Sequence, residues 1–206
     1  MPGSTEWESI AREADPDELR ERIFTGYKQG KPFTPYVPTI ALPGSINWVL
    51  DFGCGVGRNF PYLKSIATRV AGFDLDPMIL RCRSLAAKSV DLLSSDWEDV
   101  SGRRFDLVFA SLVLQHIETD ACRAYLADFA RMSPGTYVLT RLQNDFGANV
   151  LGLVAESGLF EIGECVEVEH DPVNHRLRQV AKCSFAAVSR SDNNLHYEVL
   201  LTPKQR

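Results

Sequence analysis

In the stretch Val49-Leu50-Asp51-Phe52-Gly53-Cys54-Gly55-Val56-Gly57-Arg58-Asn59, a carboxylate stands two residues before the first of three alternating glycines. An apolar run ending in such a turn reads as a buried strand feeding a helix. Glycine supplies positive φ there and lets a ligand approach the bare main-chain N–H groups. The chemistry this suits is recognition of a nucleotide-like ligand through backbone donors. A dinucleotide turn would follow G-x-G-x-x-G, with pyrophosphate on the helix N-terminus. Here the third glycine comes one residue early.

The neighbouring segments agree. Arg69 to Met78 reads as a second short strand ending in Asp74, about 20 residues after the first glycine, where ribose-binding acids of nucleotide folds sit. A carboxylate at that place accepts hydrogen bonds from two ribose hydroxyls. Asp76, directly before Pro77, suits a helix N-cap instead. Val90 to Ser95 reads as a third strand followed by Asp96-Trp97. Asp96 can accept from the exocyclic amine of adenine while Trp97 offers a flat apolar surface beside the base. The competing reading is a turn acid with a tryptophan covering the sheet edge. A fourth apolar run, Phe105-Asp106-Leu107-Val108-Phe109-Ala110, continues into Ser111-Leu112-Val113-Leu114-Gln115-His116-Ile117.

In their order and spacing, over roughly residues 46 to 145, these segments resemble the motifs of class I S-adenosylmethionine-dependent methyltransferases of the small-molecule type. The resemblance implies S-adenosyl-L-methionine as cofactor and no metal. It further implies that Asp51, Gly53, Cys54, Gly55 and Gly57 cradle the cofactor and that Asp74 binds its ribose. Leu75, Met78, Asp96 and Trp97 would surround the adenine, with Ser111 and Leu112 beside the methionine part. In this family the N-terminal segment often closes over the cofactor, which adds Tyr27 and Tyr36.

Around these motifs, short aliphatic runs alternate with helical stretches, the pattern of a parallel sheet with helices on both faces. Strands are expected near 48–52, 69–74, 90–94, 106–110 and 136–141, and helices near 59–67, 77–88, 119–132 and 147–157. The expected fold is α/β: a Rossmann-like, doubly wound, mostly parallel seven-stranded sheet with a C-terminal antiparallel hairpin and an N-terminal helical/extended cap. Residues 1–45 form that cap or lid and residues 46–206 the methyltransferase domain, in one structural domain overall. Three strand candidates follow the fifth strand, Phe160 to Glu169, Leu177 to Val188 and Leu195 to Leu201, where the family needs two. The surplus reads either as an elaboration near the acceptor site or as an extended edge hairpin.

Composition narrows the partners. The chain has 206 residues, enough for one solid core. A net charge of −5 argues against a general phosphate-binding surface, so no nucleic-acid partner is expected. The five cysteines are scattered without metal spacing and read as buried thiols of a reducing compartment. The N-terminus is acidic and no apolar run reaches about 18 residues, so a cytoplasmic protein without a membrane partner is expected, as monomer or homodimer.

Methyl transfer from a sulfonium is an in-line displacement for which the protein supplies binding, alignment and exclusion of water. An amine or thiol acceptor needs little more, whereas a hydroxyl wants a general base. His116 is the candidate base and Arg141 the candidate clamp for an acceptor carboxylate or phosphate, with Gln143, Asn144 and Asp145 following it. A packed histidine and a local ion pair are the competing readings. Enzymes that methylate amines of nucleic-acid bases commonly carry an Asn- or Asp-Pro-Pro-aromatic segment where this chain reads Ala110-Ser111-Leu112-Val113. The expected acceptor is therefore a small molecule, such as a metabolite, natural-product intermediate or sugar/glycan group, methylated on oxygen or nitrogen. The alternatives are a catalytically silent cofactor-binding scaffold and an NAD-dependent oxidoreductase, the latter disfavoured by the glycine spacing.

Overall fold

The computed structural model describes Arg12 and residues 35–86, 90–141, 149–170, 177–182 and 196–204. Strand β1 (Ile46–Phe52) is buried continuously from Val49 onward, as a strand covered on both faces must be. It is followed by α1 (Phe60–Ile66), with a proline in its first turn, and by β2 (Ala67–Phe73). Helix α2 (Asp76–Ala86) starts on Asp76 itself, so that acid lies in the first turn and not at the cap. The short pair β3 (Leu92–Ser94) and α3 (Trp97–Ser101) leads to β4 (Leu107–Ser111), a 3-10 turn (Leu114–His116) and α4 (Thr119–Met132). Then come β5 (Thr136–Arg141), α5 (Val150–Ser157), β6 (Phe160–His170), β7 (Leu177–Lys182) and β8 (His196–Pro203).

These strands form one sheet in the order β3-β2-β1-β4-β5-β8-β6-β7. The first five are parallel, β8 enters antiparallel against β5, and β6 pairs antiparallel with β8. Among the described residues the sheet has eight strands, where seven were expected. All three C-terminal candidates are strands, and the surplus one, β7, hangs on the outer edge of β6. Five of its six residues are exposed, so it adds an edge hairpin and little core.

Alternation along β1 divides the interior in two. Leu50 and Phe52 join Leu126, Phe129 and Val154 on the α4/α5 face, while Val49 joins Phe60, Leu63, Ile79 and Tyr137 on the α1/α2 face. Asp51 shares the parity of Val49. The described part of the N-terminal segment is packed down: Ile40 is buried in the second core, and Thr39 donates to Glu198 on β8 from both its backbone N–H and its hydroxyl.

Candidate functional site

The strand order reverses between β1 and β4, and in open α/β sheets ligands bind outside the carboxyl ends of the strands at such a point. The turn after β1 and the segment after β4 face each other across this crevice. Gly53, Gly55 and Gly57 all have positive φ (72°, 56° and 90°), as the spacing required. A Cβ on Gly53 would lie 2.2 Å from Val113 Cγ2, so the β4 segment rests directly on the bare turn. Leu112 carries the one positive φ, 56°, of any non-glycine among the described residues. Such strain persists only where the surroundings over-determine it, and here it lies at the mouth of the crevice. The Ser111 hydroxyl next to it is buried with no hydrogen-bond partner.

The turn is pinned to β2. Gly53 and Cys54 N–H both donate to Phe73 O (2.8 and 3.1 Å), and Gly55 N–H donates to the Asp74 carboxylate at 2.6 Å. The other Asp74 oxygen accepts from Leu75 N–H at 2.7 Å. Burial drives the Asp74 pKa up to about 6, offset in part by these two backbone bonds. Close approach of the turn depends on Gly72, where a Cβ would meet Phe60 at 2.9 Å and Cys54 Sγ at 3.0 Å. Cys54 therefore directs its thiol into the core beside Cys82, and burial holds it well above the ordinary thiol range.

Asp51 is wholly buried, and neither carboxylate oxygen has a hydrogen-bond partner. Burial raises its pKa to about 8; the Asn59 amide nearby lowers it and the charge of Asp74 raises it further. Asn59 exerts that pull without reaching hydrogen-bonding geometry to either oxygen, and its own Oδ1 accepts from Tyr36 N–H at 3.3 Å. The Arg58 guanidinium lies 4.6 Å over the Tyr36 ring, with its Nε buried and unpartnered, and burial lowers its pKa. Arg58 and Asn59 escaped the sequence reading, although a polar pair directly after the third glycine was the available signal. Their position fastens Tyr36 beside the turn, where the N-terminal segment was expected to meet the site.

Along the β2–α2 junction runs a cleft of about 480 Å³, lined by Arg12, Phe73, Asp74, Leu75, Asp76, Pro77, Leu80 and Ser95. Its size suits a nucleoside. Asp74 and Leu75 both line it, while Met78 is buried in the first turn of α2. Ser95 donates to Asp76 at 3.0 Å and closes the rim. Asp96 and Trp97 do not line this cleft. The Asp96 side chain caps α3 by accepting from Glu98 N–H at 2.9 Å. The Trp97 indole packs edge-on against Phe52, Phe73 and Tyr125 and donates its N–H to Asp128 at 2.8 Å. Both residues thus have structural partners that an adenine-binding assignment did not foresee.

His116 ends the 3-10 turn after β4, half-buried, with its Nε2 3.3 Å from Gln115 Nε2. Arg141 ends β5, paired in register with His196 of β8. The Arg141 side chain, Tyr27 and residues 142–148 lie outside the described residues.

Residues 49–134 match the family model of the methyltransferase domain. No curated protein matches the chain in sequence. Among solved structures, the chain is similar to the N-methyltransferase NodS from Bradyrhizobium japonicum in complex with S-adenosyl-L-homocysteine. That match has a TM-score of 0.55 at 15% identity, covering 99% of this chain and 89% of that one. It is similar also to magnesium protoporphyrin IX methyltransferase from Synechocystis PCC 6803 with bound S-adenosylmethionine (TM-score 0.52, 17% identity, 78% of this chain and 71% of that one). A putative RNA methyltransferase from Pyrococcus horikoshii shares the fold at a TM-score of 0.51 and 15% identity, over 78% of this chain and 76% of that one. At these identities the likeness is one of fold.

Proposed function

We propose that this chain, which carries a methyltransferase domain of the class I fold, transfers a methyl group from S-adenosyl-L-methionine to a small molecule, on nitrogen or oxygen. The observation that carries the cofactor reading is Asp51: a wholly buried carboxylate with two unpartnered oxygens, two residues before the glycine turn. Buried without a partner Asp51 keeps its proton, and the partner proposed to ionise it is the cationic end of the cofactor. S-adenosyl-L-methionine has an ammonium for Asp51 and ribose hydroxyls for the lone pairs that Asp74 keeps beyond its two backbone bonds. Leu75, Pro77 and Leu80 give the apolar wall for its base, and the buried, unpartnered hydroxyl of Ser111 and the positive φ of Leu112 support these two as the residues beside its methionine part. Bound there, the cofactor supplies an electrophilic methyl carbon on a sulfonium.

The protein's own work is then alignment and exclusion of water. The turn, pinned to Phe73 O and seated on Val113, fixes one end of the ligand, and Tyr36, held by Arg58 and Asn59, walls the mouth. His116 and Arg141, at the carboxyl ends of β4 and β5, stand where an acceptor would enter. The two small-molecule-type neighbours, one named for N-methylation and one for a porphyrin, support an acceptor of that class. The acidic balance of the chain disfavours the nucleic-acid class that the third suggests. Calorimetric titration of the folded chain tests the first step: saturable binding of S-adenosylmethionine or its demethylated product is expected. Saturable NAD binding in its place would overturn the reading. Release of S-adenosylhomocysteine across a panel of amines, alcohols and sugar nucleotides then identifies the acceptor.

A further inference from the structure

Trp48 on β1 and Arg69 on β2 are cross-strand neighbours, each the third residue of its strand, so they lie toward the amino ends and away from the crevice. The Arg69 guanidinium carbon stands 3.9 Å over the Trp48 ring centroid, and that of Arg103 lies over the same ring at 5.7 Å. Arg103 follows α3, where its Nε donates to Asp99 O at 2.6 Å. Arg104 beside it donates through one terminal nitrogen to Arg131 O at the end of α4. Cations at helix C-termini ordinarily make such bonds, and here they engage one nitrogen of Arg103 and one of Arg104. Among the described residues Arg69 has the indole ring and no hydrogen bond, and the Trp48 Nε1–H is buried without an acceptor. The carboxylates at this end of the sheet are engaged elsewhere. Asp106 accepts from Asn47 and Trp48 N–H at 2.9 and 2.8 Å, and Asp128 accepts from Arg131 and the Trp97 indole at 2.7 and 2.8 Å. Asp91 is bonded to Lys64 at 2.8 Å, which with Val70 N–H holds it below the usual carboxylate range, Arg69 adding a smaller pull.

We infer that Arg69 and Arg103, held on Trp48, form a binding site for a phosphoryl group of a small soluble molecule, at the end of the sheet opposite to the cofactor crevice. Two like charges over one ring repel, and an anion that bridges them removes that cost. Neither guanidinium has an ion pair among the described residues to do so. A guanidinium presents a planar fork that fits an oxyanion through two parallel hydrogen bonds, and stacking on an indole fixes the fork in advance, so less side-chain freedom is lost on binding. Forks carried on two elements suit a tetrahedral phosphoryl group, whose oxygens accept from several directions. A flat carboxylate is satisfied by one fork. The chain as a whole carries a net charge of −5, so a long polyanion would meet repulsion beyond the patch, and a small ligand fits better.

Inorganic diphosphate is the probe, titrated by calorimetry into the full chain at about 0.15 M chloride, where diffuse surface attraction is largely screened. Saturable binding is expected. Arg69→Ala and Arg103→Ala should each lose about ten-fold or more in affinity. Arg69→Lys, which keeps the charge without the fork, should lose most of the same amount. Arg178→Ala on β7 removes an equal charge from a guanidinium already paired with Glu169, and should stay within about two-fold of the unsubstituted chain. Absent binding by the folded chain, or equal losses in Arg69→Ala and Arg178→Ala, overturns the site. Arg69 is exposed and its removal breaks no hydrogen bond, so Arg69→Ala decides the matter even if Arg103→Ala, which frees Asp99 O, is unstable. Diphosphate affinity is expected to be the same with and without S-adenosylhomocysteine. Displacement by it would put the anion at the glycine turn and overturn the assignment. Tighter binding of a single-stranded oligonucleotide that Arg69→Ala abolishes would overturn the small-molecule class.

Discussion

Two wholly buried carboxylates, Asp51 on β1 and Glu198 on β8, have opposite surroundings. Glu198 accepts from the Tyr137 hydroxyl at 2.7 Å, from Thr39 N–H at 3.0 and 3.1 Å through its two oxygens, and from the Thr39 hydroxyl. Asp51 has no donor on either oxygen. Burial alone is costly for both, and only for Glu198 does the chain itself offset the cost. The difference separates a staple from a site. Glu198 ties the N-terminal segment to the C-terminal half of the sheet, and Asp51 is left for something that arrives.

The widest gap between the two should appear in the pH dependence of stability. Unfolded, Asp51 ionises near 3.8, whereas folded it keeps its proton to about pH 8. Between those limits the unfolded chain binds fewer protons than the folded one, so this group makes stability fall as pH rises. Asp51→Asn removes that slope. In the cofactor-free protein the substitution is expected to stabilise by an amount that grows, from pH 5 to pH 8, by on the order of 4 kcal/mol. Denaturant unfolding at the two pH values measures it. Parallel curves would mean that Asp51 has an internal partner after all.

Glu198→Leu should act with the opposite sign. It leaves the Tyr137 hydroxyl and the Thr39 donors buried without an acceptor, at a cost of about 3 kcal/mol. Glu198→Gln, which keeps one acceptor oxygen, should cost less. A neutral result in thermal unfolding of Glu198→Leu would erase the distinction between staple and site.

The sequence was most legible where one physical constraint dominates. Strand β4 is buried over Leu107–Ala110 and announces itself as a continuous apolar run, and the positive φ of Gly53, Gly55 and Gly57 leaves little choice of residue. Legibility fails where tertiary packing decides. Nothing near Trp97 in sequence says that Phe52, Phe73 and Tyr125 will enclose its indole, so a surface for the base and a cover for the sheet edge read alike. Leu177 to Lys182 has strand propensity, but being exposed nearly throughout it lacks the pattern that would place it at the edge. A glutamate in an apolar strand, as at Glu198, reads as solvent-facing until the tyrosine and threonine around it are known. The Gly72 contact was hidden for the same reason, since Phe60 and Cys54 reach it only in the folded chain.

Asp74 stands between the two extremes, with one backbone donor on each oxygen and room for more. Asp74→Ala should therefore both loosen the glycine turn and remove charged hydrogen bonds to the ribose. The loss in cofactor binding is expected at roughly 1.5 to 3 kcal/mol, or one to two powers of ten in affinity. Calorimetry that found affinity unchanged, with the protein folded, would move the nucleoside out of the cleft.

The smallest effect is expected at Asp96, and it decides which group that residue belongs to. Its carboxylate caps a helix of only five residues, accepting from Glu98 N–H, and it is exposed, so neither burial nor an orphaned oxygen marks it as a ligand residue. Replacing a helix cap by alanine costs about 1 kcal/mol of stability. Asp96→Ala should show that loss in thermal unfolding and leave cofactor affinity within about two-fold, because the cleft beside Asp74 is built without it. Asp96→Asn, which still accepts through its amide oxygen, should recover most of the stability. A ten-fold loss of affinity in Asp96→Ala at unchanged stability would reverse the assignment: the acid would then contact the adenine, and its bond to Glu98 would be what it holds while waiting for the base.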